Sequence, residues 1–259
     1  MSDLSDTDLV QNLTQHLTQL GGLLMLSSSN LPIGSYTYSQ GVESAIHAGL
    51  ISDELSCLQF LQAYLTQVLG FDLALLALIY EAIASEHDEL VCALSQIYRA
   101  SRESKEFAFE SQQLAMAMTA WLDEVLSLDV PSELTEFGYL PLFAHVGQFA
   151  KLSLSQTLLS YGFGGLENMT LAAVKTLPLG QMAGQRILWR LKTLLVQLIV
   201  KTATQIKQLS VQDLLHPTDE PAIVQADRLM RLLQCSSNRP RLAMLSSEHE
   251  VQYTRLFRS

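Results

Sequence analysis

Residues able to do acid–base, nucleophilic or metal chemistry are spread thinly along this chain. His16, His47, His87, His145, His216 and His249 stand one to a segment, and Cys57, Cys92 and Cys235 are far apart and odd in number. An activated serine is expected in a G-x-S-x-G elbow. A zinc hydrolase shows H-E-x-x-H, and a phosphate-binding loop shows G-x-x-x-x-G-K-(S/T). None of the three patterns occurs, and Glu248-His249-Glu250 lacks a second histidine one turn on. The cysteines fit neither a disulfide framework nor a C-x-x-C metal site, which points to a reducing cytoplasm. Nickel accepts histidine with cysteine or carboxylates, but no local spacing gathers them. The inventory reads as that of a non-catalytic protein with no cofactor of its own.

Other stretches have the residue types of recognition rather than catalysis. Leu31-Pro32-Ile33-Gly34-Ser35-Tyr36-Thr37-Tyr38-Ser39-Gln40-Gly41-Val42-Glu43 reads as a loop running into a helix. Pro32 fixes φ, Gly34 permits φ > 0, and Gly49 sits where a left-handed residue would end the helix Glu43–Ala48. Tyr36 and Tyr38 each offer an apolar face and a hydroxyl. They suit either a contact surface or the core. Around Ser101 to Glu106, Arg99 with Glu103 and Arg102 with Glu106 are spaced as i,i+4 pairs on a helix, worth about 0.2–0.5 kcal/mol each. The same charges would also serve as an interface ridge.

The C-terminal segment differs from the rest. From Arg228 onward there are six arginines and two acids, a net +4 in a chain of −10, which leaves −14 for the remainder. Arg255 and Arg258 alternate with Tyr253, Leu256 and Phe257. Arginine and aromatic residues dominate interface hot spots, so residues 236–259 are read as a partner-binding tail, against the plainer reading that the tail lies on the acidic body.

These residues need a frame. The 259 residues are 48% hydrophobic and only 16% charged, with a mean hydropathy of +0.20. So few charges imply a surface partly covered by partners. The net charge of −10 argues against nucleic acid. The acidic start has no basic n-region and does not read as a secretory signal. Residues 9–42 lack any charge, but Gln, Asn, Thr and Ser interrupt them throughout, so no membrane span is expected there.

Helical periodicity is nearly continuous. Leu9, Leu13, Leu17 and Leu20 predict an amphipathic helix ending at Gly21-Gly22. Ser52 is the expected N-cap of a helix with Leu58, Leu61, Leu65, Val68 and Leu69 on one face. Phe71–Ala84 is apolar almost all round, which predicts a buried central helix. Helices follow over 86–100, over 101–125 with Leu114, Met118, Trp121 and Leu122 inward, and over 142–150. Another begins near Leu152 and is expected to be interrupted at Tyr161-Gly162-Phe163-Gly164-Gly165, either a helix end or a close helix contact. Loops at 176–180 and 216–221 flank the stripe Ile187, Leu188, Leu191, Leu194, Leu195, Leu198 and Ile199, and a last helix covers 222–233. The expectation is one all-α domain over 1–259, a bundle of about ten helices around the central one.

Four of these stretches resemble the urease accessory protein UreF family, in the right order and across nearly the whole chain. Leu31–Glu43 is similar to its N-terminal signature, with Ser35 where the family often has Gly and Ala45 where many members have Trp. Ser101-Arg102-Glu103 with Glu110-Ser111-Gln112-Gln113-Leu114 resembles its Arg-Glu segment. Leu179-Gly180-Gln181-Met182-Ala183-Gly184-Gln185-Arg186-Ile187-Leu188 resembles its Gly-Gln-x-x-Gly-Gln-Arg segment, and His249–Ser259 resembles its ending almost letter for letter. The resemblance implies an all-helical protein that forms a homodimer and a complex with UreD (also called UreH) and the GTPase UreG. That complex acts on apo-urease, with nickel and GTP handled by the complex. It assigns partner binding to Gly34, Tyr36, Tyr38, Ser39, Gln40 and Glu43, and to Tyr253, Arg255, Phe257 and Arg258 of the tail, preferentially against UreD. Gln181, Gln185 and Arg186 are read as buried polar anchors in preference to a UreG surface, and Arg102 and Glu103 as either. Rival readings are a direct nickel-binding metallochaperone and a small α-helical hydrolase.

Overall fold

A computed structural model of the chain describes residues 6–102, 104–209 and 220–233, with side chains from residue 8 onward. The described residues form eleven α-helices and no strand: α1 (Asp6–Ser27), α2 (Val42–His47), α3 (Glu54–Tyr64), α4 (Gly70–Ala84), α5 (Asp88–Ala100), α6 (Lys105–Leu126), α7 (Ser132–Phe137), α8 (Tyr139–Phe149), α9 (Leu154–Thr176), α10 (Gln181–Gln208) and α11 (Ala222–Leu232). The protein is all-α, as its periodicity predicts.

α4 is the buried centre. Every residue from Phe71 to Tyr80 is buried, because this stretch presents apolar side chains in all directions and is covered by α5, α8, α9 and α10. It continues α3 through a π-helical turn, Leu65–Leu69, making one 31-residue helix. That helix is long and apolar enough to cross a membrane, yet 67% of its apolar window is buried inside the protein. It is a core helix. The Tyr80 carbonyl accepts from Gln148 Nε2 at 3.0 Å, while the Tyr80 hydroxyl donates to the Leu152 carbonyl at 2.6 Å. The second bond satisfies a buried hydroxyl that would otherwise be stranded in the core.

Several boundaries differ from the expectation, each for a local reason. The N-cap of α3 is Asp53, one residue past Ser52, since its carboxylate accepts from the Ser56 amide and Ser56 answers in a reciprocal capping box. α1 does not stop at Gly21-Gly22 but runs to Ser27. A helix-interior glycine costs only about 1 kcal/mol, and α1 continues because its C-terminal end packs on α9, burying Leu26. The glycine cluster does not interrupt α9 either. Gly162, Gly164 and Gly165 are contact points: a Cβ on Gly162 would stand 2.7 Å from Leu195 Cδ1, and one on Gly164 would stand 3.4 Å from the Ser27 carbonyl oxygen.

The expected 101–125 helix begins later. Ser104 caps α6 by accepting from the Phe107 amide at 3.1 Å, so Ser101 and Arg102 lie between helices. The i,i+4 reading of Arg102 with Glu106 is therefore corrected, since neither helix contains Arg102. The inward set Leu114, Met118, Trp121 and Leu122 is buried as predicted, and so is the Ile187–Ile199 stripe of α10 at Ile187, Leu188, Leu191, Leu195 and Ile199. The break around 216–217, Glu103 and the whole tail 236–259, including Tyr253, Arg255, Phe257 and Arg258, lie outside the described residues.

Candidate functional site

The loop 28–41 enters its signature stretch through two left-handed glycines. Gly34 (φ +76°) starts the 3-10 turn Ser35–Thr37, and Gly41 (φ +84°) precedes α2. Only glycine takes such backbone without strain, and Gln40, at φ +50°, takes it despite having a side chain. The local conformation separates the two tyrosines. Tyr36 is 48% exposed, while Tyr38 is 3% exposed and faces inward with Ser39 and Glu43. Thus Tyr38, Ser39 and Glu43 shape the loop from within. The tyrosine that the loop offers outward is Tyr36, whose ring lies 5.8 Å from Lys175 Nζ.

Beneath this loop is a cavity of about 90 Å³, lined by residues of the loop, α4, the 98–111 region and α9. It has room for several water molecules. Gln40 bridges its wall, donating from Nε2 to Glu110 Oε1 at 2.6 Å and accepting from the Tyr64 hydroxyl. That unusual backbone at Gln40 is thus held by a side chain anchored at both ends.

The deeper wall is an ion pair. Arg102 Nη2 donates to Asp72 Oδ1 at 2.7 Å, and Nη1 reaches Oδ2 at 3.4 Å. The two side chains are 14% and 3% exposed. Tyr161 donates to Asp72 Oδ2 at 3.2 Å, and the Arg102 guanidinium lies over the Tyr98 ring, 4.5 Å from its centroid. Tyr98 and Ser111 share a 2.9 Å hydrogen bond, and the Tyr139 amide donates to Ser111 Oγ at 3.1 Å. Tyr139 stacks on Tyr161 at 5.9 Å. Burial alone would lower the Arg102 pKa, but the charge of Asp72, with Tyr98 and Tyr161, raises it above the ordinary guanidinium value. Burial pushes the hydroxyls of Tyr98, Tyr139 and Tyr161 up, and nearby Asp72 adds to the rise for Tyr98 and Tyr161. These are neutral phenols and a permanent cation. None is poised to exchange protons near neutrality.

The cluster unites two of the stretches singled out in the sequence, Leu31–Glu43 and the Arg102 to Ser111 region. It also recruits residues that sequence reasoning missed: Tyr64, Asp72, Tyr98, Tyr139 and Tyr161. Asp72 was the readable signal, being the sole charged residue in Phe71–Tyr80, because a charge in a buried helix requires a partner. Its partner had to come from further along, since residues 1–98 contain no Lys or Arg.

The third stretch lies elsewhere. Gln181, Gln185 and Arg186 are exposed at the start of α10, which corrects the preference for buried anchors. The buried positions are Ala183 and Gly184, where a Cβ on Gly184 would meet Val174 Cγ2 at 2.8 Å. Arg186 instead forks onto Glu54, with Nε donating to Oε1 at 3.0 Å, and this holds the Glu54 carboxyl below its usual range. Among the described residues no three His, Cys, Asp or Glu side chains converge to hold a metal ion.

A family model described as UreF matches residues 51–192, more than half of the chain. The chain belongs to the UreF family. Similar proteins include the "Urease accessory protein UreF" of Nitrosospira multiformis, 34% identical over 242 residues, covering 92% of this chain and 96% of that one. The protein of the same name from Methylibium petroleiphilum is 34% identical over 247 residues, covering 92% of both. A "Bifunctional urease accessory protein UreEF" of Bordetella bronchiseptica is 32% identical over 247 residues, covering 93% of this chain and 52% of that one. The matched UreF region contains the Asp72–Arg102 pair, α9 and the start of α10.

Proposed function

We propose that this UreF-family protein is a non-catalytic adaptor in urease maturation, working in the cytoplasm. In this reading it bridges UreD/UreH and the GTPase UreG and couples GTP hydrolysis to nickel delivery into apo-urease, itself acting as a homodimer. The observation that carries the reading is how the motif residues are used. Gln40, Glu110, Asp72, Arg102 and Ser111 are engaged with one another or with tyrosines, so their polar groups are spent on holding a loop in place. In this reading that frame presents Tyr36 on the loop, and α10 separately exposes Gln181, Gln185 and Arg186, as contact surfaces. The fused UreEF relative adds that this domain tolerates a covalently attached accessory protein.

The test is a pull-down of purified UreD and UreG by the full-length protein and by a chain ending at Ser247, with helicity checked by circular dichroism. The expected result is that the shortened chain remains helical and loses UreD. Unchanged capture of UreD removes the tail from the docking role and leaves the Tyr36 loop to fill it. Capture of neither partner by the full chain overturns the adaptor reading. Stoichiometric nickel binding by the isolated protein would replace it with the metallochaperone reading.

A further inference from the structure

The loop 28–41 lies over its cavity like a strap. Leu31, Ile33, Ser35, Tyr38 and Gln40 form the loop's side of the space of about 90 Å³, and Leu31, Ile33 and Tyr38 are buried. Some of the loop's bonds stay inside it: the Thr37 amide donates to the Gly34 carbonyl at 3.0 Å, and the Tyr38 amide to the Ser35 carbonyl at 3.2 Å. Such bonds give the strap a shape but not a position. Gln40 does the opposite. Its side chain reaches two other helices, donating to Glu110 of α6 and accepting from Tyr64 of α3.

Glutamine is a poor match for the backbone it occupies here. The Val42 amide donates to the Ser39 carbonyl at 3.0 Å, so residues 39–42 make a β-turn. Its central residues, Gln40 and Gly41, stand at φ +50° and +84°. Positive φ at both positions is the pattern of a type I′ turn, where Asn or Asp before Gly is strongly preferred. Glutamine has one methylene more than asparagine, and that length carries its amide to Glu110 and Tyr64. The closed strap is therefore held by the Gln40 side chain and opposed by the Gln40 backbone. The two effects are of similar size, since a left-handed non-glycine residue and a net hydrogen bond each change an equilibrium by about tenfold. A loop balanced in this way moves when the side chain lets go.

We infer that Gln40 is a latch with two positions. Closed, it covers the cavity and leaves Tyr36 pointing outward; open, the strap swings on Gly34 and Gly41 and uncovers the cavity. Tyr36 is presented to a partner from the closed strap, which makes the half-buried Gln40 a positioning residue for that contact. The partner clause rests on the adaptor reading above, whereas the latch itself does not.

The experiment is native-state thiol labelling by a maleimide, resolved by site with mass spectrometry. The background carries I33C with Cys92→Ser and Cys235→Ser. It retains Cys57, which is 0% exposed on α3 and reports opening of the fold as a whole. In Y64F, which removes one bond of the latch, the thiol of I33C is expected to react about tenfold faster, and in Q40N, which removes both, at least that much faster, with Cys57 unchanged. A role confined to the turn predicts the reverse for Q40N, because asparagine relaxes the backbone there. Q40E sets two carboxylates against each other and is expected to open the strap. The swap Q40E/E110Q is expected to close it again, since the amide at 110 then donates to the carboxylate at 40 while Tyr64 still donates to its other oxygen. Unchanged labelling in Q40N, or no rescue in the swap, overturns the latch. Equal acceleration at Cys57 in every variant also overturns it, because Gln40 would then support the fold at large. In pull-downs of UreD and UreG by the otherwise native chain, Q40N is expected to capture less of at least one partner and the swap to recover it. An open strap with undiminished capture of both overturns the positioning role. Capture of neither partner by the wild type overturns the adaptor reading, with the latch still decided by the labelling.

Discussion

Replacing Arg102 with methionine tests whether the ion pair frames the site. Methionine keeps an unbranched apolar stem over the Tyr98 ring but removes both donors to Asp72. The Asp72 carboxylate, only 3% exposed, then retains the Tyr161 hydroxyl at 3.2 Å. Breaking a buried pair by removing one partner costs about 3–5 kcal/mol, most of it from the stranded charge. We expect Arg102→Met near the lower end of that range, because Tyr161 remains. A double variant Asp72→Asn/Arg102→Met, which removes both charges, should recover about 1–3 kcal/mol relative to additivity. The assay is urea unfolding followed by helical circular dichroism at one fixed protein concentration, since any self-association would link stability to concentration. A cost below about 1 kcal/mol, or strict additivity in the double variant, would refute the framing role.

Further predictions address the same frame and its surroundings. Gly138→Ala should destabilise by roughly 3 kcal/mol or more, since Gly138 has φ +103° and an added Cβ would stand 2.5 Å from the Ser111 Oγ that binds Tyr98 and Tyr139; a cost under about 1 kcal/mol would show that the tyrosine wall adjusts freely. Burial lowers the His145 pKa, so the unfolded chain takes up a proton before the folded one as pH falls below about 6.5. Stability should drop across that acid window, and His145→Gln should flatten the drop in urea midpoints between pH 7.5 and 5.5. An unchanged slope would exclude His145 as its source.

How much of this was legible beforehand varies with the kind of interaction involved. The burial of α4 was readable because fifteen consecutive residues with almost no polar face admit only one environment. α9 was harder. Glycines alone look like a break, and only the nearness of Leu195 and Ser27 turns them into contact points. The arginine at 102 looked like a surface helix residue because Glu106 sits one turn ahead of it in sequence, whereas its partner lies thirty residues back on the central helix.

Local chemistry written along the chain therefore determined the helical class, the buried central helix, the left-handed turns at Gly34 and Gly49, and the four stretches that carry the family resemblance. These depend on interactions within a few residues, where periodicity and backbone preference act directly. Only the tertiary structure decided that Tyr36 faces out while Tyr38 faces in, that Gln181, Gln185 and Arg186 are exposed, and that Asp72 and Arg102 meet under the signature loop. Each of those outcomes depends on which helix packs over a given residue. A side chain's own sequence neighbours state its face of the helix but not what that face will meet.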